Sequence, residues 1–154
     1  MFRSLAIVAA TTLALPVFAQ DLTATGDVDA GEKAFRQCVA CHVVVNEAGE
    51  TLAGTRAKTG PNLYGIVGHH FGVVEDFRYS DINQLASGIE GLVVTEEVFV
   101  AYVQDPTGYL RETTGDNGRS KMTYKVRKEQ DAIDLYAYLA SLSPAPEAEE
   151  AVTN

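Results

Sequence analysis

The motif Cys38-Val39-Ala40-Cys41-His42 constrains this chain more than any other feature of its sequence. Two cysteines three positions apart lie on the same face of a helical turn, so both thiols can form thioethers to the two vinyl groups of one porphyrin. The adjacent imidazole can then ligate the haem iron on one side. The chain contains two cysteines in all, and the motif uses both. This C-x-x-C-H pattern predicts one covalently attached haem c per chain.

Two other chemistries also use closely spaced cysteines. A thioredoxin-like redox couple needs a βαβ pattern around its C-x-x-C pair, and no such pattern flanks Cys38 and Cys41. A zinc site needs a second pair of ligands at suitable spacing, whereas the remaining histidines, His69 and His70, are adjacent. The haem interpretation is therefore favoured over both.

The first 19 residues have the layout of a secretory signal peptide. Arg3 supplies a positive charge, residues 5–17 are almost entirely apolar, and small residues precede the predicted cleavage point after Ala19. A retained membrane anchor is the weaker alternative, because a spanning helix needs about 20 apolar residues. Cleavage at this point predicts export to the periplasm.

The remainder of the chain is long enough for one domain with one core. We expect a polar lead over residues 20–26, a haem domain over 27–143 and a disordered acidic tail over 144–154. The formal net charge of −9 argues against binding of nucleic acid or anionic lipid through the overall field of the protein. No stable membrane insertion is expected either.

Helices are predicted from end signals and apolar periodicity. Thr95 can cap one helix and Pro106 can stop it. The four predicted helices cover residues 27–41, 81–87, 95–104 and 129–141. The segments 46–60 and 108–128 are predicted to be irregular loops, and no strand pattern is evident. So few short helices bury too little apolar surface for an ordinary core. We therefore expect an all-α domain whose middle is filled by a porphyrin.

The second axial ligand of the iron distinguishes the possible functions. Met122 is the one methionine left once the signal peptide is removed, and it lies in a loop before the last helix. The alternatives are His69 or His70 as a second imidazole, or an open position. Ligation by His42 and Met122 raises the reduction potential and closes the iron to small ligands, which suits electron transfer. An open iron would instead suit a peroxidase or a gas sensor.

The order of several motifs resembles that of the class I cytochromes c, and in particular the periplasmic bacterial cytochrome c2 type. The similarity extends over residues 26–142. Its elements are the helix containing Gly31 and Phe35, the C-x-x-C-H motif, Thr59-Gly60-Pro61-Asn62-Leu63, the loop Lys121-Met122-Thr123-Tyr124, and the last helix. The resemblance implies about four to five short helices and long loops around one covalent haem. It also implies a monomeric soluble electron carrier rather than an enzyme, with a haem peroxidase or ligand sensor as the alternative.

The resemblance further implies roles for residues around the haem. The Pro61 carbonyl would accept the N–H of the proximal imidazole, and Tyr102 would lie beside the methionine sulfur. Tyr79 would donate to a haem propionate, together with Ser120. Two features depart from the family pattern: the chain has no tryptophan, and His69 stands where an arginine is often found.

A basic segment surrounds Met122 in the sequence. Positions 117–128 contain no acidic residue and five basic ones: Arg119, Lys121, Lys125, Arg127 and Lys128. We predict that they form a docking face for membrane redox complexes with acidic patches. The resemblance implies a cytochrome bc complex as donor, and a terminal oxidase, a photosynthetic reaction centre or a denitrification enzyme as acceptor.

Overall fold

The computed structural model describes residues 21–144, which form five helices and a small antiparallel pair of strands. The helices are α1 (Val28–Phe35), α2 (Asp81–Ser87), α3 (Glu96–Gln104), α4 (Pro106–Thr114) and α5 (Glu129–Leu142). The strands are β1 (Val44–Val45) and β2 (Thr51–Ala53). The predicted signal peptide, and all but the first residue of the predicted acidic tail, lie outside the described residues. None of the helices in the described part has the length and apolar character needed to cross a membrane.

The first and last helices cross at a point where there is no room for a side chain. A Cβ atom at Gly31 would lie 2.0 Å from the backbone oxygen of Asp134. The rings of Phe35 and Tyr138 meet at a centroid distance of 5.5 Å. The buried Asp134 carboxylate accepts the backbone N–H of Asp27, the N-cap residue of α1, at 2.9 Å. This crossing fixes α1 firmly, and the C-x-x-C-H motif follows directly from its end.

Helix α4 was not predicted, because Pro106 was interpreted as the end of α3 and the following residues as an irregular loop. Proline is also favoured in the first turn of a helix, where its missing N–H has no partner to lose. The Asp105 carboxylate caps the new helix by accepting the N–H of Gly108 at 3.1 Å. Gly115 then ends it in the left-handed conformation, with φ of 73°. The prediction of an irregular segment was therefore wrong for residues 108–114.

Two further predictions were imprecise. The first helix ends at Phe35, and residues up to Cys41 form a series of turns in which Cys38 N–H bonds to the Phe35 carbonyl at 2.8 Å. The loop predicted over 46–60 contains β2, which pairs with β1 across a tight turn that Asn46 and Glu50 close with hydrogen bonds. The predicted helices 81–87 and 95–104 agree with α2 and α3, and the last helix extends one residue further than predicted.

The predicted polar lead is attached to the rest of the structure. The Glu96 carboxylate at the start of α3 accepts both the backbone N–H and the hydroxyl of Thr25, each at 2.7 Å. The Leu22 side chain packs against Gly68, since a Cβ at Gly68 would lie 2.8 Å from its Cδ1. The lead thus joins the turn after residue 65 to helix α3.

Candidate haem site

A cavity of about 540 Å³ lies among the described residues. Cys38, Cys41 and His42 line it, and so does Met122, which is 80 positions further along the chain. Most of its exposed lining is apolar, and several members of the buried core contribute to the wall: Phe35, Val94, Phe99, Val103, Leu135 and Leu139. The buried core is therefore arranged around this space.

The imidazole of His42 is held in one orientation. Its Nδ1 donates to the carbonyl oxygen of Pro61 at 2.9 Å, which leaves Nε2 as the nitrogen that can ligate iron. Gly60 lies close against the ring, since a Cβ there would be 2.4 Å from Cε1. Burial lowers the pKa of His42, and the bond to Pro61 opposes this effect. Burial thus favours the neutral form, which is the form that binds metals.

The two cysteines lie on a turn of helical type. The N–H of Cys41 and that of His42 both bond to the Cys38 carbonyl, at 3.0 and 2.9 Å. Burial, with a smaller contribution from Cys41, raises the pKa of the Cys38 thiol to about 11. A thioredoxin-like couple depends on a thiol whose pKa is lowered. The surroundings of Cys38 therefore argue against that alternative.

The loop that carries Met122 is held by backbone N–H hydrogen bonds at the methionine itself and four residues after it. The N–H of Met122 donates to the Ser120 hydroxyl at 3.1 Å, and the N–H of Val126 donates to the Val103 carbonyl on α3 at 2.9 Å. Met122 is half-buried, whereas His69 and His70 are exposed although they also line the cavity. Met122 is thus the most buried of the three candidate second ligands.

A polar cluster lies beside this loop. The Tyr102 hydroxyl is 3.4 Å from the Ser120 hydroxyl and also bonds to the side chain of Asn83, and burial raises the pKa of Tyr102. Asn83 is buried, and its Oδ1 accepts a hydrogen bond from Ser80 at 2.8 Å. Asn83 was not among the site residues predicted from the sequence. A signal existed, because Asn83 and Ala86 are three positions apart and share the buried face of α2.

Two relatives are similar to this chain over most of their length. Cytochrome c2 of Rhodovulum adriaticum is 64% identical over 119 residues, which cover 77% of this chain and 94% of that protein. Cytochrome c2 of Cereibacter sphaeroides is 48% identical over 145 residues, 94% of this chain and 97% of that protein. No protein-family model matches the chain. The chain belongs to the cytochrome c2 family.

Solved structures agree with this assignment. Cytochrome c2 from Rhodobacter sphaeroides matches with a TM-score of 0.76 and 50% identity, over 79% of this chain and all of the other. Ferric cytochrome c-550 from Paracoccus versutus matches with a TM-score of 0.71 and 42% identity, over 78% of this chain and all of the other. The predicted class I cytochrome c fold is confirmed, with the addition of the short β1–β2 hairpin.

A cytochrome c2 carries covalently bound haem c and is an electron-transfer protein rather than an enzyme, so both of these predictions are confirmed. The cavity suits that group. It combines two thiols, a neutral imidazole and a thioether with a largely apolar lining, and these are the donors that c-type haem uses. Cytochrome c2 proteins exchange electrons with membrane redox complexes, which confirms the coarse part of the partner prediction.

Residues at both positions where the sequence departs from the family pattern line the cavity. Val94 lies within residues 92–95, the stretch that corresponds to the family's tryptophan, and it is buried and lines the cavity without a polar atom in its side chain. His69 lines it as an exposed residue. Tyr79 also lines the cavity, half-buried, and burial raises the pKa of its hydroxyl while a hydrogen bond to the backbone of Val74 opposes this. Tyr79 thus lies at the cavity wall, and its bond to a propionate stays a prediction.

The five basic residues around Met122 are all exposed, but two of them are already engaged. Lys125 forms an ion pair with Asp105 at 2.8 Å, and Lys121 donates to the carbonyl of Arg78. The ion pair of Lys125 could not be predicted from the acid-free segment, because its partner Asp105 lies outside that segment. Arg127 borders the same surface depression as Lys125, next to Tyr124. The charge of Lys125 is consequently partly neutralised at this surface.

Proposed function

We propose that this cytochrome c2 is a periplasmic one-electron shuttle whose haem is joined to Cys38 and Cys41 and whose iron is ligated by His42 and Met122. The observation that carries the proposal is that one cavity collects these four side chains from two distant parts of the chain. The bound haem supplies an iron that alternates between the ferric and ferrous states.

The protein contributes orientation to this chemistry. Pro61 holds the His42 ring through Nδ1, and Ser120 holds the backbone of Met122. Fixed ligands keep the iron environment the same in both oxidation states, which suits a carrier. Tyr102 is placed next to Ser120 and would stabilise the methionine side, while Tyr79 would donate to a propionate.

The absorption spectrum tests the proposed ligands. The ferric protein is expected to show the weak near-infrared band that marks sulfur bound to iron, and the ferrous protein is expected not to bind carbon monoxide. Rapid carbon monoxide binding without this band would mean that the iron is open, and the function would then be that of a haem peroxidase or sensor.

The proposed donors and acceptors are membrane complexes with acidic docking patches. A cytochrome bc complex would reduce the protein, and a terminal oxidase, a reaction centre or a denitrification enzyme would oxidise it. The proposed docking face comprises the five exposed basic residues of the Met122 segment: Arg119, Lys121, Lys125, Arg127 and Lys128. Of these, Arg127 and Lys128 are the better probes, because substitution of Lys125 would also break its ion pair with Asp105.

Reversing Arg127 and Lys128 to glutamate is expected to slow electron transfer from a cytochrome bc complex by about tenfold at low salt. Steering by opposite charges fails when the charges are reversed, so the rate should also lose most of its dependence on salt concentration. Stopped-flow mixing at several ionic strengths measures both effects, and the visible spectrum should not change.

The matched control reverses two exposed basic residues that do not line the cavity, Lys33 and Arg56. It changes the net charge of the protein by the same amount. If this control slows the reaction as much as the Arg127 and Lys128 variant, net charge rather than a docking face governs the encounter.

A further inference from the structure

Tyr124 lies at the boundary between the cavity and solvent. It comes two residues after Met122 and lines the same cavity, yet its side chain is 44% exposed. A ring so exposed gains little from burial, so apolar contact alone would hold it weakly. Its position therefore depends on a directional contact.

That contact is a hydrogen bond to another residue that lines the cavity. The Tyr124 hydroxyl donates to Oε1 of Gln37, 87 positions away in the sequence. Gln37 directly precedes Cys38 and also lines the cavity. The bond therefore connects the loop that carries Met122 to the segment that carries the C-x-x-C-H motif.

The acceptor is itself held in place. The side-chain nitrogen of Gln37 donates to the carbonyl of Ala34 at 3.4 Å, which leaves Oε1 free to accept. Ala34 is in the last turn of α1, the helix that crosses α5 with no space at Gly31. The Tyr124 hydroxyl is thus attached, through the Gln37 side chain, to the end of the helix that crosses α5.

The remaining contacts that hold the Met122 loop run to other parts of the molecule. Within residues 21–144, its hydrogen-bond and ion-pair partners outside the loop are Arg78, Tyr102, Val103, Asp105 and Thr107. Among the described residues, the Tyr124–Gln37 bond is the one side-chain hydrogen bond from residues 120–126 to residues 37–42. If it is lost, the loop remains attached at its other contacts but is released on the side of the motif.

We infer that Tyr124 and Gln37 form a latch that keeps the Met122 loop closed over the cavity and limits the access of small ligands to the iron. Both are positioning residues, since they act through Met122. The inference rests on the proposed ligation by Met122. It adds a role for two side chains, of which Gln37 was absent from the sequence-based site and Tyr124 was named only as part of the loop.

Tyr124→Phe removes the hydroxyl and keeps the ring. In the haem-loaded ferric protein, imidazole binding is expected to become about threefold to tenfold faster, the range that corresponds to losing one hydrogen bond of ordinary strength. Amide hydrogen exchange should accelerate at Met122. It should not accelerate at Val126, whose N–H is bonded to α3. Tyr109→Phe is the control, because that hydroxyl bonds to Thr113 on its own helix.

Substitutions of Gln37 test the other partner. Gln37→Leu should accelerate imidazole binding as much as Tyr124→Phe does, whereas Gln37→Glu should retain slow binding because it keeps an acceptor oxygen. The double variant with Gln37→Leu and Tyr124→Phe should bind imidazole no faster than either single variant. Additive effects, or wild-type rates and exchange in Tyr124→Phe, would overturn the latch. If the wild-type protein lacks the sulfur-to-iron band, ligation by Met122 is refuted. The latch is then tested separately, by comparing amide hydrogen exchange at Met122 between the wild-type protein and Tyr124→Phe.

Discussion

Replacing Cys38 and Cys41 together with alanine is expected to abolish covalent haem attachment and to leave a largely unfolded chain. The reason is the size of the space that the porphyrin would fill. The haem would cover the largely apolar lining of a space of about 540 Å³, and without it that lining loses its packing partner. The whole stability of an ordinary domain is about 5–15 kcal/mol. Without its haem the domain therefore has almost no margin of stability.

Haem staining after denaturing electrophoresis measures the covalent attachment, and circular dichroism with limited proteolysis measures the folding. Ala40→Ser is a suitable control, because it alters an exposed residue between the two cysteines and leaves both thiols in place. A compact apoprotein that resists protease would show that the polypeptide core is sufficient without haem.

Met122→Ala is expected to lower the reduction potential by on the order of 0.1 V or more, since axial ligands adjust haem potentials over a wide range and a thioether favours the ferrous state. The ferric form should lose its near-infrared sulfur band, and cyanide and carbon monoxide should bind readily. Potentiometric titration and ligand-binding spectra measure these changes.

Met122→Leu separates ligation from packing. Leucine has about the same volume as methionine and carries no sulfur, so the fold should be retained while the potential still falls. His69→Ala and His70→Ala should leave the spectrum unchanged. If the histidine variants alter the sulfur band and Met122→Leu does not, the assignment of the second ligand is wrong.

Local signals were sufficient for much of the fold. Helix α3 was predicted correctly because the Thr95 side chain accepts the N–H of Val98 at 3.3 Å, an interaction within one turn. Helix α4 had local signals of the same kind in Asp105, Pro106 and Gly115, and it was missed because only the helix-breaking property of proline was considered. That error was one of interpretation rather than of missing information.

The chemistry of the site could also be predicted from the sequence, because covalent attachment of haem depends on residues within a single turn, Cys38 to His42. Contacts between distant segments could not be predicted from the sequence. The ion pair of Lys125 with Asp105 and the bond of Tyr124 to Gln37 join residues whose approach depends on how the helices pack around the cavity. Sequence patterns report periodicity and end signals along the chain, whereas these pairs depend on the three-dimensional path of two loops. Folding around the cavity therefore sets which charges remain free at the surface and how the loop with Met122 is held.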